Sequence, residues 1–416
     1  MSAAPWPLYG AAGRLAAPLA ALYLTRRAAR GREDTARTAE KRGVASHAPF
    51  DAPPVWLHAV SVGEAVAGLA LAERLVPSSP VLLTTATPGA AARVAPRLSP
   101  RLVHQYAPLD APPFVERFLA HWRPRAAVFV EAEVWPTTLF ALARLGVPRA
   151  HVNARLSDRS YARWRRGLRL AKPLFGTIDL ALAPSGMQAL RFASLGAREA
   201  VVTGNLKFDA EPPPADAHAV AELVRAVGDR PVWLAASTHP GEEEVVLKAQ
   251  RRIAAVRPDV LTLIAPRHPE RGAAVAELAA AAGRVTRRSR GEPPDGTIHV
   301  IDTLGELGTL YSACDVVFLG GSLVPCGGHN PGEPAAYDAA ILTGPSHGSM
   351  LAPFLDRGAA RVVADASGLA AAVLELLDDR GARAAMGAAA RRTLEAERGA
   401  VERTMARLGP WLDGAG

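Results

Sequence analysis

The chain is predicted to fold as two α/β domains, each a doubly wound parallel sheet, facing one another across a central cleft. Three observations carry this expectation. At 416 residues the chain is longer than one hydrophobic core usually fills. From Pro54 onward, short β-rich runs alternate with longer Ala/Leu/Arg stretches of helical pattern, as parallel strands with right-handed crossovers require. The alternation comes in two series separated by a Pro-rich joint, "DAEPPPADAHA" (Asp209 to Ala219), which marks a domain boundary.

Taken in order, the first series reads "VWLHAV", "PVLLTTAT", "RAAVFVEAE", "RAHVNARL" and "DLALAPS". The second reads "PVWLAAST", "VLTLIAP", "GTIHVIDT", "DVVFLGGS", "AAILTGP" and "ARVVAD". The expected division is an N-terminal helix and basic linker over 1–48, a first domain over 49–208, and the joint over 209–219. A second domain follows over 220–390, and an Ala/Arg-rich helix over 391–416 packs back across the joint.

A hydrophobic fraction of 49% with 21% charged residues excludes a disordered chain. The formal net charge of +8 favours anionic partners: phosphorylated substrates, an anionic membrane surface or nucleic acid. No nucleic-acid-binding module is recognisable, so that partner is not expected. The basic residues are nearly all Arg, the lysines being Lys41, Lys172, Lys207 and Lys248. A Lys retained inside a motif therefore hints that an ammonium is wanted there. Cys314 and Cys326 lack zinc-type spacing and fit a reducing compartment.

Pro5 to Leu24, "PWPLYGAAGRLAAPLAALYL", is apolar but interrupted by Arg14, Pro18 and two glycines, and "TRRAARGR" follows. It is marginal for a spanning helix, which needs about 20 apolar residues. Its aromatic ends and basic flank suit an interfacial helix or short anchor; the alternative is a helix packed on the protein itself.

"LHAVSVGEAVAG" (Leu57 to Gly68) passes from a strand to a helix through Ser61 and Gly63, and carries Glu64 where a phosphate-binding turn would avoid a carboxylate. Ser61 to Glu64 is also an S-x-x-E capping box, so Glu64 either caps its helix or does chemistry. "VFVEAEVWP" places Glu131 and Glu133 two apart, on the same side if the strand continues that far. "VNARLSDRSYARWRRGLRLAK" supplies Asn153, Arg155 and a run of Arg159, Arg163, Arg165, Arg166 and Arg169, which is either a solvated face or a platform for phosphates and anionic headgroups. "VVTGNLKFD" brings Lys207 to the joint.

In the second domain "LGGSLVPCGGHNPGEPAAYDAA" runs from Leu319 to Ala340. Glycines at Gly320, Gly321, Gly327 and Gly328 would let backbone amides approach a phosphate. Asn330 is expected as N-cap, Pro331 at N1 and Glu333 at N3, where Glu333 closes a capping box or accepts ribose hydroxyls. "LIAPRHPER" puts Arg267 and His268 just past a strand, suited to phosphate or carboxylate. "DTLGELGTLY" supplies a turn with Leu304, Gly305 and Glu306 able to hold a base.

Together these motifs resemble the Kdo (3-deoxy-D-manno-octulosonic acid) transferases of Gram-negative bacteria. The matching pieces are "HAVSVGE", "TTATPGAAARV", "EAEVWP", "NARLSDRS", "TGNLKFD", "PRHPER", "DTLGELG" and "GGSLVPCGGHNPGEPAA", in family order from His58 to Ala336. The resemblance implies a GT-B fold of two Rossmann-like domains and transfer of Kdo, with inversion, from CMP-Kdo to a phosphorylated lipid A precursor (lipid IVA) in lipopolysaccharide core biosynthesis. It implies an acceptor held by the first domain, with Ser61, Gly63 and Arg155, and Glu64 as general base. Lys207 and one of Glu131 or Glu133 stabilise the transition state. It implies that the donor is held by Arg267, His268, Leu304, Gly305, Glu306, Gly321, Ser322, His329, Asn330, Pro331, Gly332 and Glu333. It also implies an anchored or peripheral position on the cytoplasmic face of the inner membrane. No His, Asp or Glu cluster has metal-ligand spacing, so no obligatory metal is expected.

Two departures stand out: "HNPGE" has Gly332 where the family has an apolar residue, and "TPGA" at Thr87 to Ala90 replaces "TPTG". The competing readings are another GT-B enzyme using a different nucleotide sugar and a non-catalytic, membrane-associated nucleotide-binding protein.

Overall fold

A computed structural model describes residues 6–30 and 33–414. Residues 1–5 and 31–32 of the expected anchor and linker, and 415–416 of the final helix, lie outside the described residues. The chain divides into a first unit, residues 1–210 and 398–416, and a second, residues 211–397.

The first unit is built on a seven-stranded, all-parallel sheet in the order β3-β2-β1-β4-β5-β6-β7. Its strands are β1 (Val55–His58), β2 (Val81–Thr85), β3 (Leu102–Tyr106), β4 (Ala126–Val130), β5 (Arg149–Val152), β6 (Leu180–Ala183) and β7 (Glu199–Val202). The second unit repeats the plan with β8 (Val232–Thr238), β9 (Leu261–Pro266), β10 (Val285–Arg287), β11 (Ile298–Val300), β12 (Val316–Leu319), β13 (Ala340–Thr343) and β14 (Ala360–Val362). Their order is β10-β11-β9-β8-β12-β13-β14, again parallel throughout. Three strands do not show as apolar runs in the sequence: β3, β7 and β10. All three are edge strands. The run is broken in β7 because its edge is uncovered and Glu199 is exposed, whereas in β3 His104 and Gln105 are buried and are admitted because Thr85 and Trp122 hydrogen-bond them, each at 2.9 Å.

Apolar side chains cover both faces of each sheet. In the first unit Leu57, Val128 and Val152 pack on one side with Leu71 and Leu408, while Trp56, Phe118 and Phe129 pack on the other. The second sheet is flanked by Ile264, Phe318 and Leu369 on one face and Leu234, Leu263 and Tyr311 on the other. Covering both faces with helices leaves only strand ends and loops free to present chemistry. Order reversal between β1 and β4, and again between β8 and β12, puts a switch point at the C-terminal edge of each sheet, where such folds bind ligands.

The chain returns to the first unit at Arg398, later than the residue 391 expected from composition, because the helix Arg380–Glu397 belongs to the second unit. Asp209 accepts the amides of Gly399 (2.7 Å) and Val401 (2.5 Å), which locks the joint to the start of the helix Ala400–Asp413. The N-terminal segment forms a helix, Trp6–Ala29, that packs on its own unit. Ala17 is buried with Ala111 and Phe114, while Leu8, Leu15, Leu19, Leu22 and Tyr23 stand exposed. Among the described residues no helix is long and apolar enough to cross a membrane.

Candidate active site

In the first unit, Ser61 caps the helix Val62–Leu75 by accepting the amide of Glu64 at 3.3 Å. The Glu64 carboxylate turns back over the same turn, accepting the Ser61 hydroxyl (2.8 Å) and the Val60 amide (2.8 Å). The box predicted from the sequence therefore forms, one residue further back than the usual reach to the cap's own N–H. An ionised carboxylate has about four acceptor positions, so two remain. Burial raises the Glu64 pKa and the nearby Glu131 charge adds to it, while the two hydrogen bonds and Lys207 pull the other way.

β4 ends at Val130, and Glu131 sits in the left-handed region at φ 65°. The strand alternation that would set Glu131 and Glu133 on one side does not extend that far, and the two carboxylates find different partners. Glu131 pairs with Lys207 at 2.5 Å and lies 3.9 Å from the Arg155 guanidinium. Asn153, fully buried at φ 51° after β5, reaches Glu131 at 3.5 Å and accepts the Leu206 amide at 3.4 Å, tying the lysine turn to the acid. Gly63 borders the Lys207 stem: a Cβ there would lie 3.9 Å from its Cε, in ordinary contact.

Glu133 instead accepts the Trp135 indole N–H at 2.6 Å. Burial, with Glu64 and Glu131 adding repulsion, pushes its pKa up to about 7. Three carboxylates and two cations thus share the C-terminal edge of β1, β4 and β5. Glu133 is the member that keeps a proton near neutrality.

Lys207 lies far from Glu131 in the chain, and nothing in either motif signals the pairing. Trp135 and Asn153 belong to the same arrangement. Thr87 caps the next turn by accepting the Ala90 amide at 3.3 Å, with Pro88 opening the helix Pro88–Val94, so "TPGA" serves as a helix start.

In the second unit the glycine loop after β12 departs from expectation. The amides of Gly321 and Ser322 do not face outward. They donate to Glu242, which also takes those of Leu323 and His239, at 2.6, 2.9, 2.8 and 2.9 Å respectively. Glu242 is completely buried, so a side chain of the protein itself fills the anion-binding turn. Ser322 is internal too, donating to Leu319 O (2.6 Å) and accepting the Gly344 amide (2.8 Å). Gly321, at φ 67°, is needed for space as well: a Cβ there would come within 3.1 Å of His329 Nε2.

His329 and His239 touch through their Nε2 atoms at 3.0 Å, which requires one donor and one acceptor. Burial lowers both pKa values, that of His329 to about 4, and keeps the pair neutral. The His268 ring approaches His239 edge-on at 6.1 Å. Arg267 has no ion-pair partner among the described residues, yet its charge is felt at His239, His329 and Glu333.

The helix after "GGHNP" is short, Gly332–Ala335, and begins one residue later than predicted. Pro331 rather than Asn330 takes the N-cap position, and Asn330, one residue before it, accepts the Gly332 amide at 3.0 Å, with Gly332 buried in that turn. Glu333 falls at its second residue and does not reach back, so the capping box predicted there is not made. Burial pushes the Glu333 pKa up to about 6, with Arg267 opposing. Leu304 is 83% exposed and Gly305 takes φ 83°, leaving an open turn. Glu306 is already engaged, pairing with Arg288 at 3.0 Å and accepting the Thr303 hydroxyl at 2.5 Å.

Sequence reading passed over His239 and Glu242. The signal was present in "STHPGEEE", a strand end followed by a left-handed Gly241 and acids opening a helix. Glu242→Gln is expected to cost about 2 kcal/mol in chemical denaturation, because an amide NH2 meets donors that lose their acceptor. A midpoint unchanged from the parent would show that water replaces the carboxylate.

Residues 26–210 match the family profile for 3-deoxy-D-manno-octulosonic-acid transferase (kdotransferase). The chain is 37% identical over 428 aligned positions to the 3-deoxy-D-manno-octulosonic acid transferase of Bordetella pertussis, covering 97% of this chain and 99% of that one. It is 35% identical to the enzyme of the same name from Haemophilus influenzae, covering 91% and 92% of the two chains. A solved glycosyltransferase from Rickettsia africae superposes with a TM-score of 0.62 at 12% identity, over 88% of this chain and 99% of that one, a likeness of fold. The fold is GT-B. Sequence identity sustained across both units shows that the chain belongs to the Kdo transferases, a family of glycosyltransferases.

Proposed function

We propose that this Kdo transferase takes its sugar from CMP-Kdo and passes it, with inversion, to a hydroxyl of a phosphorylated lipid A precursor, lipid IVA, at the cytoplasmic face of the bacterial inner membrane. The observation that carries the reading is Glu64: a carboxylate of raised pKa at the switch point of the first sheet, beside an ion-paired lysine. Glu64 takes the acceptor hydroxyl's proton as that oxygen attacks the anomeric carbon, and CMP departs with the electrons of the broken bond. Lys207, steered by Glu131, compensates the negative charge of the sugar carboxylate and departing phosphate. Arg267 binds the donor phosphate, and the open turn at Leu304 and Gly305 takes the base.

Glu333 accepts ribose hydroxyls in this reading. Acceptance is strongest from the ionised form, so donor affinity should fall as pH drops below about 6. Glu333→Gln should weaken CMP binding about 10–100-fold, the worth of charge-assisted hydrogen bonds. Calorimetry on the two proteins checks this, and an equal Kd would remove Glu333 from the ribose site.

The reaction is proposed to proceed without an obligatory metal, its charge being balanced by Lys207 and Arg267. Membrane association is supported by the exposed apolar face of Trp6–Ala29 and by Arg159, Arg163, Arg165, Arg166 and Arg169, which are exposed and make no ion pair among the described residues. The deciding assay is CMP release from CMP-Kdo by chelator-treated protein, with and without lipid IVA. Acceptor-dependent release is expected. Release that ignores the acceptor, or follows only a different nucleotide sugar, would overturn the proposal.

A further inference from the structure

A groove of about 630 Å³ lies within the first unit, between the helix Trp6–Ala29 and the helices Pro112–Trp122 and Pro136–Arg144. Its size falls in the about 300–1,000 Å³ range of small-molecule sites. The walls are mainly apolar, with Trp6, Val115, Pro136 and Phe140 among them. Two features mark it as more than a packing defect. Trp6 Nε1 and Thr137 Oγ1 are buried and have no hydrogen-bond partner among the described residues, although both residues line the groove. Thr137 donates its amide to Asp110 at 3.1 Å, so its backbone is satisfied while its hydroxyl is not. Buried polar atoms without partners are costly, and a ligand bearing a carbonyl or hydroxyl would satisfy them.

One wall of the groove also continues the chain segment that carries Glu133. Pro136, in its wall, directly follows Trp135, whose indole holds Glu133. Arg14 and Glu116, which pair with each other, line it as well, as does Arg144, which is exposed without an ion pair among the described residues. An apolar channel with two unpartnered polar atoms among its lining residues, an unpaired Arg144 on its wall and Pro136 next in the chain to Trp135 fits a single ligand chemistry. We propose that it seats an acyl chain of the phosphorylated acceptor, with the ester or amide carbonyl at Trp6 and Thr137. This rests on the lipid-acceptor reading given above and adds where the chain lies.

Gly10 provides the test. It lines the groove, and a Cβ added there meets nothing within 4 Å, so Gly10→Phe is chosen to fill the channel, with a thermal melt recorded alongside to check the fold; the change also improves helix propensity. The full chain is photolysed with a bisphosphorylated glucosamine disaccharide whose amide-linked acyl chain carries a diazirine. Insertion is expected at Trp6, Thr137 or Phe140. It should drop at least tenfold in Gly10→Phe and stay within twofold in Leu15→Ser, on the helix's exposed face. Labelling elsewhere, or labelling indifferent to Gly10→Phe, would overturn the proposal. Competition by phosphatidylglycerol vesicles equal to that by unlabelled acceptor would also overturn it, making the groove a seat for bulk membrane lipid. Groove labelling in a protein that shows no acceptor-dependent CMP release would support the seat while rejecting the reaction assigned to it.

Discussion

Glu64→Gln is expected to lower kcat about 10³-fold with donor affinity unchanged, since general-base contributions run to about 10²–10⁴. The amide keeps the side chain's shape and one of its acceptors but cannot take a proton. Loss of one turn hydrogen bond should cost about 1 kcal/mol, so a thermal melt recorded alongside separates lost chemistry from lost fold. The pH profile gives a second readout. A base acts in its ionised form, so the rate falls as pH drops through its pKa. Burial holds that pKa above the ordinary 4.5, so the acid limb of the native profile should lie at higher pH than a free carboxylate would give. The limb should vanish in Glu64→Gln. The same shift means that the fold loses stability as pH rises from 4.5 through the raised value, because the folded state holds that proton more tightly. Native rates in the mutant would reduce Glu64 to a helix cap.

Lys207→Ala is expected to cost about 10²–10³ in kcat, comparable to removing a preorganised charge from a developing anion. It also strips Glu131 of its 2.5 Å partner, leaving Arg155 at 3.9 Å. Because the two residues act as a pair, Glu131→Gln added to Lys207→Ala should cost far less than it does alone. Lys207→Arg should recover only part of the rate, since a planar fork does not replace a compact point charge. Losses that simply add would show that the lysine and the acid work separately.

The two sites were legible to different depths. Ser61 and Glu64 could be read as a unit because a capping box is local, set by a three-residue spacing that helix geometry enforces. The second unit's "GGS" loop could not. Glycines at a strand end look alike whether their amides wait for a phosphate or already hold Glu242, and only the packing of β8 against β12 brings that acid beneath the loop. Glu333 shows the opposite case. Its sequence context suggested a capping partner, but the helix begins at Gly332 and the carboxylate is left free for a ligand. The N-terminal segment was ambiguous because its apolar content is spread around the helix. In the fold one side is covered by Ala111 and Phe114, while Leu8, Leu15, Leu19 and Leu22 stay exposed on the rest.

The sequence by itself determined the alternation of strands and helices, the interior strands, the two-unit plan and the motifs at the strand ends, all of which follow from local periodicity and turn chemistry. Tertiary structure alone decided that Lys207 pairs with Glu131 rather than Glu133, and that Glu242 occupies the glycine loop. It also decided that three carboxylates meet where the order of the first sheet reverses. These are contacts between segments remote in the chain, set by strand order and burial, and no local pattern encodes them.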